Sequence, residues 1–253
     1  MVNLKDKVAL VTGAGGNIGK EITKRLFNDG CKVVMIGRDH KKLAGIKKEL
    51  GDDNDLLAIS ADITKEADVL SCIEQTLTVF NKIDILVNNA GVINDPIEFH
   101  LSNHNDWMNL INTNLIGMFR ITKAVIPIMM ENKYGNIINI SSLLGIRSIL
   151  GVPLTVYGTT KAGVIMFTKG IAVEYGKFGI RSNCITLSTI RGPMIEPYLN
   201  DANAKSILNS SFPLQKIGNP EDVPGAVSYL CSEDSSWVTG ITLNIDGGIS
   251  ASQ

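Results

Sequence analysis

Tyr157, Lys161 and Ser142 are the residues of this chain whose types and spacing best suit proton transfer. Tyr157 and Lys161 are four residues apart in a helical pattern of apolar residues, so both lie on one face of the predicted helix. A phenol titrates near ~10, and a neighbouring ammonium favours the phenolate, so we expect Lys161 to lower the pKa of Tyr157. Ser142 ends a predicted strand and could hold a substrate oxygen against the phenol.

Each of these residues has an ordinary explanation when it is taken alone. Tyr-x-x-x-Lys pairs are common on helix surfaces, and a serine after a strand is usually a turn or N-cap residue. The hypothesis of a proton-transfer centre therefore depends on the elements that would position the three side chains.

A glycine-rich turn, residues 12–19, joins the first predicted strand to a helical pattern. The order of strand, turn and helix directs backbone N–H groups and a helix N-terminus at a phosphate. The spacing differs from the strict Gly-x-Gly-x-x-Gly, because the residue three after Gly15 is Ile18. A plain loop is the alternative, but the position between the first strand and the first helix favours a dinucleotide site.

The second predicted strand, residues 32–36, ends at Gly37-Arg38-Asp39. An acid at this strand end suits the ribose 2′-hydroxyl of NAD, whereas an arginine suits the 2′-phosphate of NADP. Gly37 occupies the position expected for the acid and Arg38 follows it, which favours NADP. Asp39 lies at about the right distance from the glycine turn to serve as the acid, so NAD stays open.

Three further polar sites accompany predicted strands or helices. Asp62, after the third strand, is predicted either to accept a hydrogen bond from an adenine amine or to act as a helix cap with Thr64. Residues 88–91, Asn-Asn-Ala-Gly, follow the fourth strand. Asn114 lies among poor helix formers inside a helical pattern over 102–130, which predicts a kink or a water site.

Strands and helices alternate along the whole chain, with seven predicted strands and no change of composition that would mark a linker. This alternation predicts an α/β fold, a single Rossmann-type domain over 1–253 with a doubly wound, seven-stranded parallel sheet. Ligands of such sheets bind at the carboxyl ends of the strands, where the glycine turn, residues 88–91 and Ser142 fall. Residues 187–213 are predicted to form a mobile substrate lid.

The composition argues against several classes of protein. A net charge of −1 gives no bulk attraction to nucleic acid or to an anionic membrane. The start of the chain lacks the apolar core of a signal peptide, and no apolar run approaches the ~20 residues that cross a bilayer. Four scattered cysteines predict buried free thiols, and three histidines suggest no metal site. We therefore predict a cytoplasmic protein without a metal.

Together these motifs resemble those of the short-chain dehydrogenase/reductase family, in its single-domain branch, over nearly the whole chain. Thr12-Gly-x-x-x-Asn-x-Gly19 resembles the family's Thr-Gly-x-x-x-Gly-x-Gly, residues 88–91 its Asn-Asn-Ala-Gly, and Tyr157-x-x-x-Lys161 its Tyr-x-x-x-Lys. Further matches in the family's order are Asn114, Ser142, Asn219-Pro-Glu-Asp222 and Asp246-Gly-Gly248.

The resemblance implies a role for each residue of the centre. Tyr157 would be the general acid/base, and Lys161 would lower its pKa and bind the nicotinamide ribose. Ser142 would polarise the carbonyl, and Asn114 would hold the water of a proton relay. Ser141 is the alternative to Ser142, although the following Leu-Leu-Gly fits the family's register better with Ser142.

The expected cofactor-binding residues come from the glycine turn, the ends of the strands and the centre itself. They are Gly13, Gly15, Asn17, Ile18, Gly19, Arg38, Asp62, Ile63, Asn89, Ala90, Gly91, Tyr157, Lys161 and Ile190.

Three features depart from the family pattern. Asn17 replaces the middle glycine of the turn, a position that a small polar residue tolerant of left-handed geometry can fill. The span from Ser142 to Tyr157 is longer than the family usually has, which predicts a bulge in the wall of the substrate pocket. The family's Pro-Gly after the sixth strand reads Leu187-Ser188, and Gly192 stands where the family has a threonine. That loop usually holds the nicotinamide carboxamide.

The resemblance predicts an oxidoreductase that uses NADP, or NAD, to interconvert a ketone and a secondary alcohol. Its small-molecule substrate is a 3-oxoacyl thioester or, alternatively, a sugar or polyol. The alternative from another class is a dinucleotide-binding regulator without turnover. Candidate pocket residues lean apolar, although they could equally form a subunit contact: Leu143, Ile149, Leu150, Val152, Met194 and Tyr198. A homotetramer, or a homodimer, that pairs through the long fourth and fifth helices is also implied.

Overall fold

Seven parallel strands form one sheet in the order β3-β2-β1-β4-β5-β6-β7. The computed structural model describes residues 3–193 and 195–252, without the side chains of Pro197, Tyr198 and Ala204. The strands are β1 (Val8–Thr12), β2 (Lys32–Gly37), β3 (Leu56–Ser60), β4 (Ile85–Asn88), β5 (Gly135–Ser142), β6 (Ile180–Leu187) and β7 (Thr242–Ile245). The predicted seven-stranded parallel sheet is confirmed.

Helices cover both faces of this sheet. Within the described residues they are α1 (Asn17–Asn28), α2 (His40–Glu49), α3 (Glu66–Phe80), α4 (His104–Ile111), α5 (Met118–Asn132), α6 (Thr155–Tyr175), α7 (Glu196–Leu199), α8 (Ala202–Ser210) and α9 (Pro224–Cys231). One core cluster joins the sheet to α1, α2 and α9, and a second joins it to α3, α5 and α6. The doubly wound arrangement is therefore also as predicted.

Strand β1 shows why the strands read as apolar runs. All five of its residues are buried. Ala9 and Val11 belong to the cluster beneath α1, whereas Val8 and Leu10 belong to the cluster on the opposite face. A parallel strand with helices on both faces needs apolar side chains in both directions, so the sequence shows no polar alternation there.

The helical pattern over 102–130 divides into three segments. Helix α4 begins at His104 rather than at Ser102, because Asn103 caps it by accepting a hydrogen bond from the Asp106 N–H at 2.9 Å. A π-helical segment, Asn112–Gly117, then leads into α5. The kink predicted around Asn114 is therefore a π-helical turn, a feature often found at functional sites.

The structure also bears on the predictions about thiols, membrane spans, metal sites and the lid. All four cysteines are free and buried. Among the described residues, no helix combines the length and the apolar character that crossing a bilayer requires. Over the same residues, no three His, Cys, Asp or Glu side chains group as metal ligands. Between β6 and α9 lie the short helices α7 and α8, and their role as a mobile lid stays a prediction.

The sheet places its ligand crevice between β1 and β4. Strand β1 pairs with β2 on one side and with β4 on the other. The order of the strands along the chain reverses at this point, and crevices of parallel sheets open there at the carboxyl ends of the strands. The glycine-rich turn, the loop after β4 and the end of β5 all lie at that edge.

Candidate active site

The glycine-rich turn after β1 has two positions that glycine alone fits. Gly13 has a φ of +65°, and a Cβ there would lie 2.9 Å from the Cα of Ala90. A Cβ on Gly19 would overlap the carbonyl oxygen of Gly13 and lie 2.8 Å from Nδ2 of Asn89. Helix α1 begins directly after Gly16, which provides no side-chain cap. Its first N–H groups therefore remain available to an anionic ligand.

The loop after β4 is fixed to this turn by hydrogen bonds. The Thr12 hydroxyl accepts from the N–H groups of Asn89 and Ala90, both at 3.0 Å, and it donates to the Val87 carbonyl at 3.2 Å. The Asn89 amide donates to the carbonyls of Thr12 and Gly13 at 3.0 and 3.2 Å. Asn89 thus shapes the crevice by holding its two rims together.

Two exposed cations, Arg38 and Lys42, line the crevice at the end of β2. Neither forms an ion pair with any other described residue. Asp39, the acid that is the sequence's candidate for the ribose, caps α2 instead. Its carboxylate accepts from the N–H groups of Lys41 and Lys42 at 3.0 and 3.2 Å. Two cations without an ion-pair partner thus lie at this end of the crevice, and such cations suit a phosphate.

Asp62 stabilises the turn that precedes α3. Its Oδ1 accepts hydrogen bonds from the Thr64 N–H at 3.0 Å and from the Thr64 hydroxyl at 2.8 Å. Burial raises the pKa of Asp62, but the Thr64 hydrogen bonds and the charges of Arg38 and Lys65 outweigh it, so this pKa lies below its usual value. Asp62 does pair with Thr64, but the predicted cap role is wrong, because Lys65 is the residue at the N-cap of α3. The contact with an adenine amine stays a prediction.

These loops enclose a cleft of about 640 Å³. Every predicted cofactor-binding residue except Tyr157 and Lys161 lines it. Residues of the cleft that the sequence reasoning missed include Lys42, Val92, Thr113, Arg191 and Pro193. Lys42 could have been found, because it lies in the first turn of the helix that Asp39 caps. The tight glycine turn, the uncapped helix and the free cations fit a phosphorylated dinucleotide.

Tyr157 and Lys161 lie at the start of α6, one turn apart as predicted. Burial raises the pKa of Tyr157, and a hydrogen bond with Ser142 offsets only part of this rise. The predicted lowering of this pKa by Lys161 is therefore wrong for the structure. The Lys161 ammonium lies 5.8 Å from the centre of the Tyr157 ring and donates to the Ile140 carbonyl at 3.0 Å.

Lys161 brings a buried charge to the place where the centre meets the cleft. Its side chain is buried, and burial lowers its pKa to about 8. A Cβ on Gly91 would lie 3.3 Å from the Lys161 Nζ and 3.3 Å from Oδ1 of Asn114. Since Gly91 also lines the cleft, it lies between the cleft and the buried Lys161 and Asn114 side chains.

The two serines at the end of β5 have different partners. The buried Ser141 hydroxyl donates to the Lys161 carbonyl at 2.7 Å and so ties the strand to α6. The half-buried Ser142 hydroxyl accepts from the Leu144 N–H at 3.2 Å and forms a hydrogen bond with Tyr157. Ser142 is therefore the serine that faces the phenol, in agreement with the register of the motif.

Asn114 anchors the loop after β4 to the π-helical segment. Its Oδ1 accepts from the Val92 N–H at 2.8 Å, and its Nδ2 donates to the Val92 carbonyl at 2.9 Å and to the Thr160 hydroxyl at 3.1 Å. The Thr160 hydroxyl in turn donates to the Tyr157 carbonyl at 2.8 Å. Asn114 thus links the cleft to the start of α6, and its role in holding a relay water stays a prediction.

Comparison with known proteins agrees with this geometry. A family model described as enoyl-(acyl carrier protein) reductase matches residues 13–250, nearly the whole chain. The chain belongs to the short-chain dehydrogenase/reductase family. It is an oxidoreductase of that family, as the motifs predict.

Three members of the short-chain dehydrogenase/reductase family illustrate the likeness. The 3-oxoacyl-(acyl-carrier-protein) reductase FabG of Vibrio harveyi is 36% identical over 98% of this chain and 99% of its own. The 3-ketoacyl-(acyl-carrier-protein) reductase of Brucella melitensis, solved with NADH, is 33% identical with a TM-score of 0.90, over 98% of this chain and 100% of its own. The gluconate 5-dehydrogenase of Burkholderia cenocepacia J2315, solved with NADP and tartrate, is 29% identical with a TM-score of 0.92, over 99% and 98%.

Asn17 occupies the position of a family glycine without backbone strain. It is the first residue of α1, and it is not among the residues with positive φ. Asn17 therefore fills this position as expected, although the left-handed geometry that it tolerates is not required. The backbone is helical, so an L side chain fits here as in any helix.

The segment after β6 keeps its place beside the cleft without the family's Pro-Gly. Leu187 ends β6, pairs with Ser142 and is buried in the core. Gly218 holds the next residues of the segment, because its N–H donates to the Thr189 carbonyl at 3.0 Å and its carbonyl accepts from the Arg191 N–H at 2.8 Å. Ile190, predicted to contact the cofactor, therefore lines the cleft.

The predicted apolar pocket wall divides into several environments. Between Ser142 and Tyr157 the chain forms a turn in which the Val152 N–H donates to the Ile149 carbonyl at 3.1 Å. Leu150 at this turn is fully exposed, whereas Leu143 is buried in the protein interior. Ile149 and Val152 are half-buried, Met194 lies outside the described residues, and the side chain of Tyr198 is not described.

Proposed function

We propose that this enzyme reduces a ketone to a secondary alcohol with NADPH, at a centre formed by Ser142, Tyr157 and Lys161. The observation that carries this proposal is the position of Gly91, which lines the cofactor cleft and lies against the buried Lys161 and Asn114 side chains. A reaction that delivers a hydride and a proton to one carbonyl group needs these two components side by side.

Each part of NADP has a group of cleft residues that would bind it. The turn over residues 13–19 and the N-terminus of α1 hold the diphosphate. Arg38 and Lys42 bind the 2′-phosphate, Asp62 and Ile63 lie by the adenine, and the remaining predicted contacts lie toward the nicotinamide. NADP is favoured over NAD because the Asp39 carboxylate caps α2, whereas Arg38 and Lys42 form no ion pair with any other described residue. When bound, the nicotinamide supplies the hydride.

Proton transfer depends on the protonation state of Tyr157. Ser142 donates a hydrogen bond to the substrate carbonyl, and the Tyr157 hydroxyl gives its proton to the same oxygen as the C–H bond forms. Burial raises the pKa of this phenol, so it stays protonated at neutral pH, which is the form that reduction requires. Lys161 binds the nicotinamide ribose, as the family resemblance implies, and the loop held by Asn114 keeps Tyr157 and Lys161 in place.

Two similarities support a 3-oxoacyl thioester as the substrate. The Vibrio harveyi and Brucella melitensis relatives are both reductases of 3-oxoacyl groups on acyl carrier protein, and each aligns with nearly the whole chain. A sugar acid or polyol is the second candidate, because the gluconate 5-dehydrogenase has the higher TM-score, 0.92. No feature of the site favours a regulator without turnover.

Nucleotide titration followed by rate measurements tests the proposed function. The purified protein is titrated with NADPH and with NADH by fluorescence. Its rates of cofactor oxidation are then measured with acetoacetyl-CoA, 5-ketogluconate and xylulose. Tighter binding of NADPH and the highest kcat/KM with the thioester are expected. A preference for the ketose would move the assignment to sugars, and nucleotide binding without turnover on any carbonyl would favour the regulator.

We also propose that the enzyme is a homotetramer of the cytoplasm. Met166 and Val173 on α6 are 66% and 84% exposed, and Trp237 near β7 is 99% exposed. Met166 and Val173 lie on the second of the two long helices through which the resemblance implies that subunits pair, so their exposure supports this assembly. Light scattering after size-exclusion chromatography is expected to give the tetramer mass. A monomer at micromolar concentration would contradict this assembly.

A further inference from the structure

Asn17 and Gly192 meet across the mouth of the cofactor cleft. Asn17 is the exposed first residue of α1, and Gly192 lies in the segment after β6. A Cβ built on Gly192 would lie 3.1 Å from Nδ2 of Asn17. Both residues line the cleft, from opposite rims. The Asn17 side chain therefore spans the gap between the glycine-rich turn and residues 190–193.

These two residues also belong to the departures from the family motifs. Gly192 does not have a positive φ, so its backbone conformation does not require glycine. Its carbonyl is fixed by the N–H groups of Ile195 and Glu196, at 2.9 and 3.0 Å. Gly192 is therefore a firmly held surface whose lack of a side chain makes room for the Asn17 amide. The two departures are one matched pair.

The Asn17 amide has hydrogen-bonding capacity to spare. It forms no hydrogen bond with any other described residue. It lies at the uncapped N-terminus of α1, where free N–H groups and the helix dipole favour an anion. A side-chain N–H donor at this point adds a hydrogen bond to the same anion without adding charge.

We propose that Asn17 closes the cleft over the cofactor: its side-chain amide rests against Gly192 and donates a hydrogen bond to the diphosphate of the dinucleotide. This inference rests on the proposed function, because it needs a dinucleotide in the cleft. The amide covers the diphosphate from the solvent side, so its main effect is to slow cofactor dissociation. The Asn17 amide packs against Gly192, and this contact keeps the amide in place.

Substitution of Asn17 by Asp separates this role from a role in helix stability. Asp has nearly the same shape, and an acid in the first turn of a helix stabilises it through the macrodipole. In the proposed role, Asn17→Asp replaces a donor with a negative charge beside the diphosphate. Loss of such a bond corresponds to roughly a tenfold or larger increase in the Kd for NADPH. Asn28→Asp, at the exposed far end of the same helix, is the control for added charge.

A double-mutant cycle tests the contact between the two residues. Gly192→Ala places a methyl group 3.1 Å from the Asn17 amide nitrogen, so the amide must shift away from its position against Gly192. In the native background this change is expected to accelerate NADPH dissociation about fivefold. In the Asn17→Gly background it should have no effect, because there is no amide left to displace.

Stopped-flow fluorescence of NADPH and thermal melting together decide the outcome. A raised Kd in Asn17→Asp with an unchanged or higher Tm supports the proposal, as does a non-additive cycle. An unchanged Kd with a higher Tm would overturn it in favour of a helix-stabilising role, and an additive cycle would overturn the contact with Gly192. Failure of the native protein to bind NADPH and NADH would overturn the proposed function as well, so the two failures are distinguishable.

Discussion

The cofactor cleft and the proton-transfer centre are built in opposite ways. The cleft consists of backbone, glycine and exposed cations at the ends of strands, as at Gly13 and Arg38. The centre consists of side chains on the first turns of α6 and the end of β5, and Lys161 there is only 6% exposed. The two regions meet around Gly91.

This difference determines what each region can do. Charges in the solvent-exposed cleft interact through a high dielectric and are screened by salt, so single substitutions there change binding by modest factors. Groups in the centre have lost their water, so burial alone raises the pKa of Tyr157 and lowers that of Lys161 to about 8. We therefore expect changes in the centre to affect rate and stability, and changes in the cleft to affect cofactor affinity.

Removal of the Tyr157 hydroxyl tests this division with the largest expected effect. Tyr157→Phe keeps the ring and its packing but deletes the proton donor, so kcat should fall about 10³-fold. The Kd for NADPH should stay within about twofold, because binding energy comes from the cleft. Tyr175→Phe, at the other end of α6, is the control and should keep full activity. A comparable loss of NADPH affinity in Tyr157→Phe would show that the two regions are not separable.

Ser141 and Ser142, neighbours at the end of β5, should differ in their effects on rate and stability. Ser142→Ala removes the hydrogen bond to Tyr157 and a donor to the substrate oxygen, so kcat should fall about 10²-fold. Ser141→Ala removes the bond to the Lys161 carbonyl and should instead lower the free energy of unfolding by about 1 kcal/mol. Steady-state kinetics and urea unfolding of both variants provide the check. Equal rate losses in the two variants would contradict the assignment of Ser142.

Replacement of the buried cation connects function to stability. The shift of the Lys161 pKa from 10.5 to about 8 corresponds to a burial cost of about 3 kcal/mol while the group is charged. Lys161→Met removes this cost and also the bond to Ile140, so the free energy of unfolding at pH 7 should rise by about 2 kcal/mol while turnover is lost.

The stability gained by Lys161→Met should depend on pH. Below pH 8 the ammonium is charged in both the folded and the unfolded protein, so the full cost is present. Between pH 8 and 10.5 the folded protein releases this proton first, and the cost disappears. Urea unfolding should therefore show that Lys161→Met exceeds the native protein in free energy of unfolding by less at about pH 9.5 than at pH 7. Lys169 is exposed on the same helix, so Lys169→Met should not raise the free energy of unfolding at either pH.

The sequence predicts the sheet because its strands are buried on both faces. Runs such as residues 8–11 are apolar without alternation, and the structure has a strand at each of the seven predicted places. The glycine turn is also predictable, since Gly13 and Gly19 are set by close backbone approach rather than by distant packing. Local rules are sufficient for both.

Burial and choice of partner are not predictable from spacing. The pKa of Tyr157 depends on how completely the fold removes water from the phenol, and no residue type encodes that. At Asn17 the family's glycine suggests a special backbone, whereas the structure has an ordinary helix start that asparagine fills as predicted. The sequence does not decide the role of Asp39, because an acid after a strand suits a ribose and a helix cap equally well.

Substitutions of Arg38 and Asp39 test the choice between NADP and NAD, and they have the smallest expected effect. Arg38→Ala removes a cation from the 2′-phosphate site and should raise the Kd for NADPH about tenfold, with no change for NADH. Asp39→Ala removes the cap of α2, so it should lower the free energy of unfolding by about 1 kcal/mol and leave the preference between the two cofactors unchanged. Fluorescence titrations at low and physiological salt check the first result, since a solvent-exposed charge contact must weaken as salt rises. If Asp39→Ala instead weakened NADH binding selectively, the acid would bind the ribose when the cofactor is present, and NAD would be the natural cofactor.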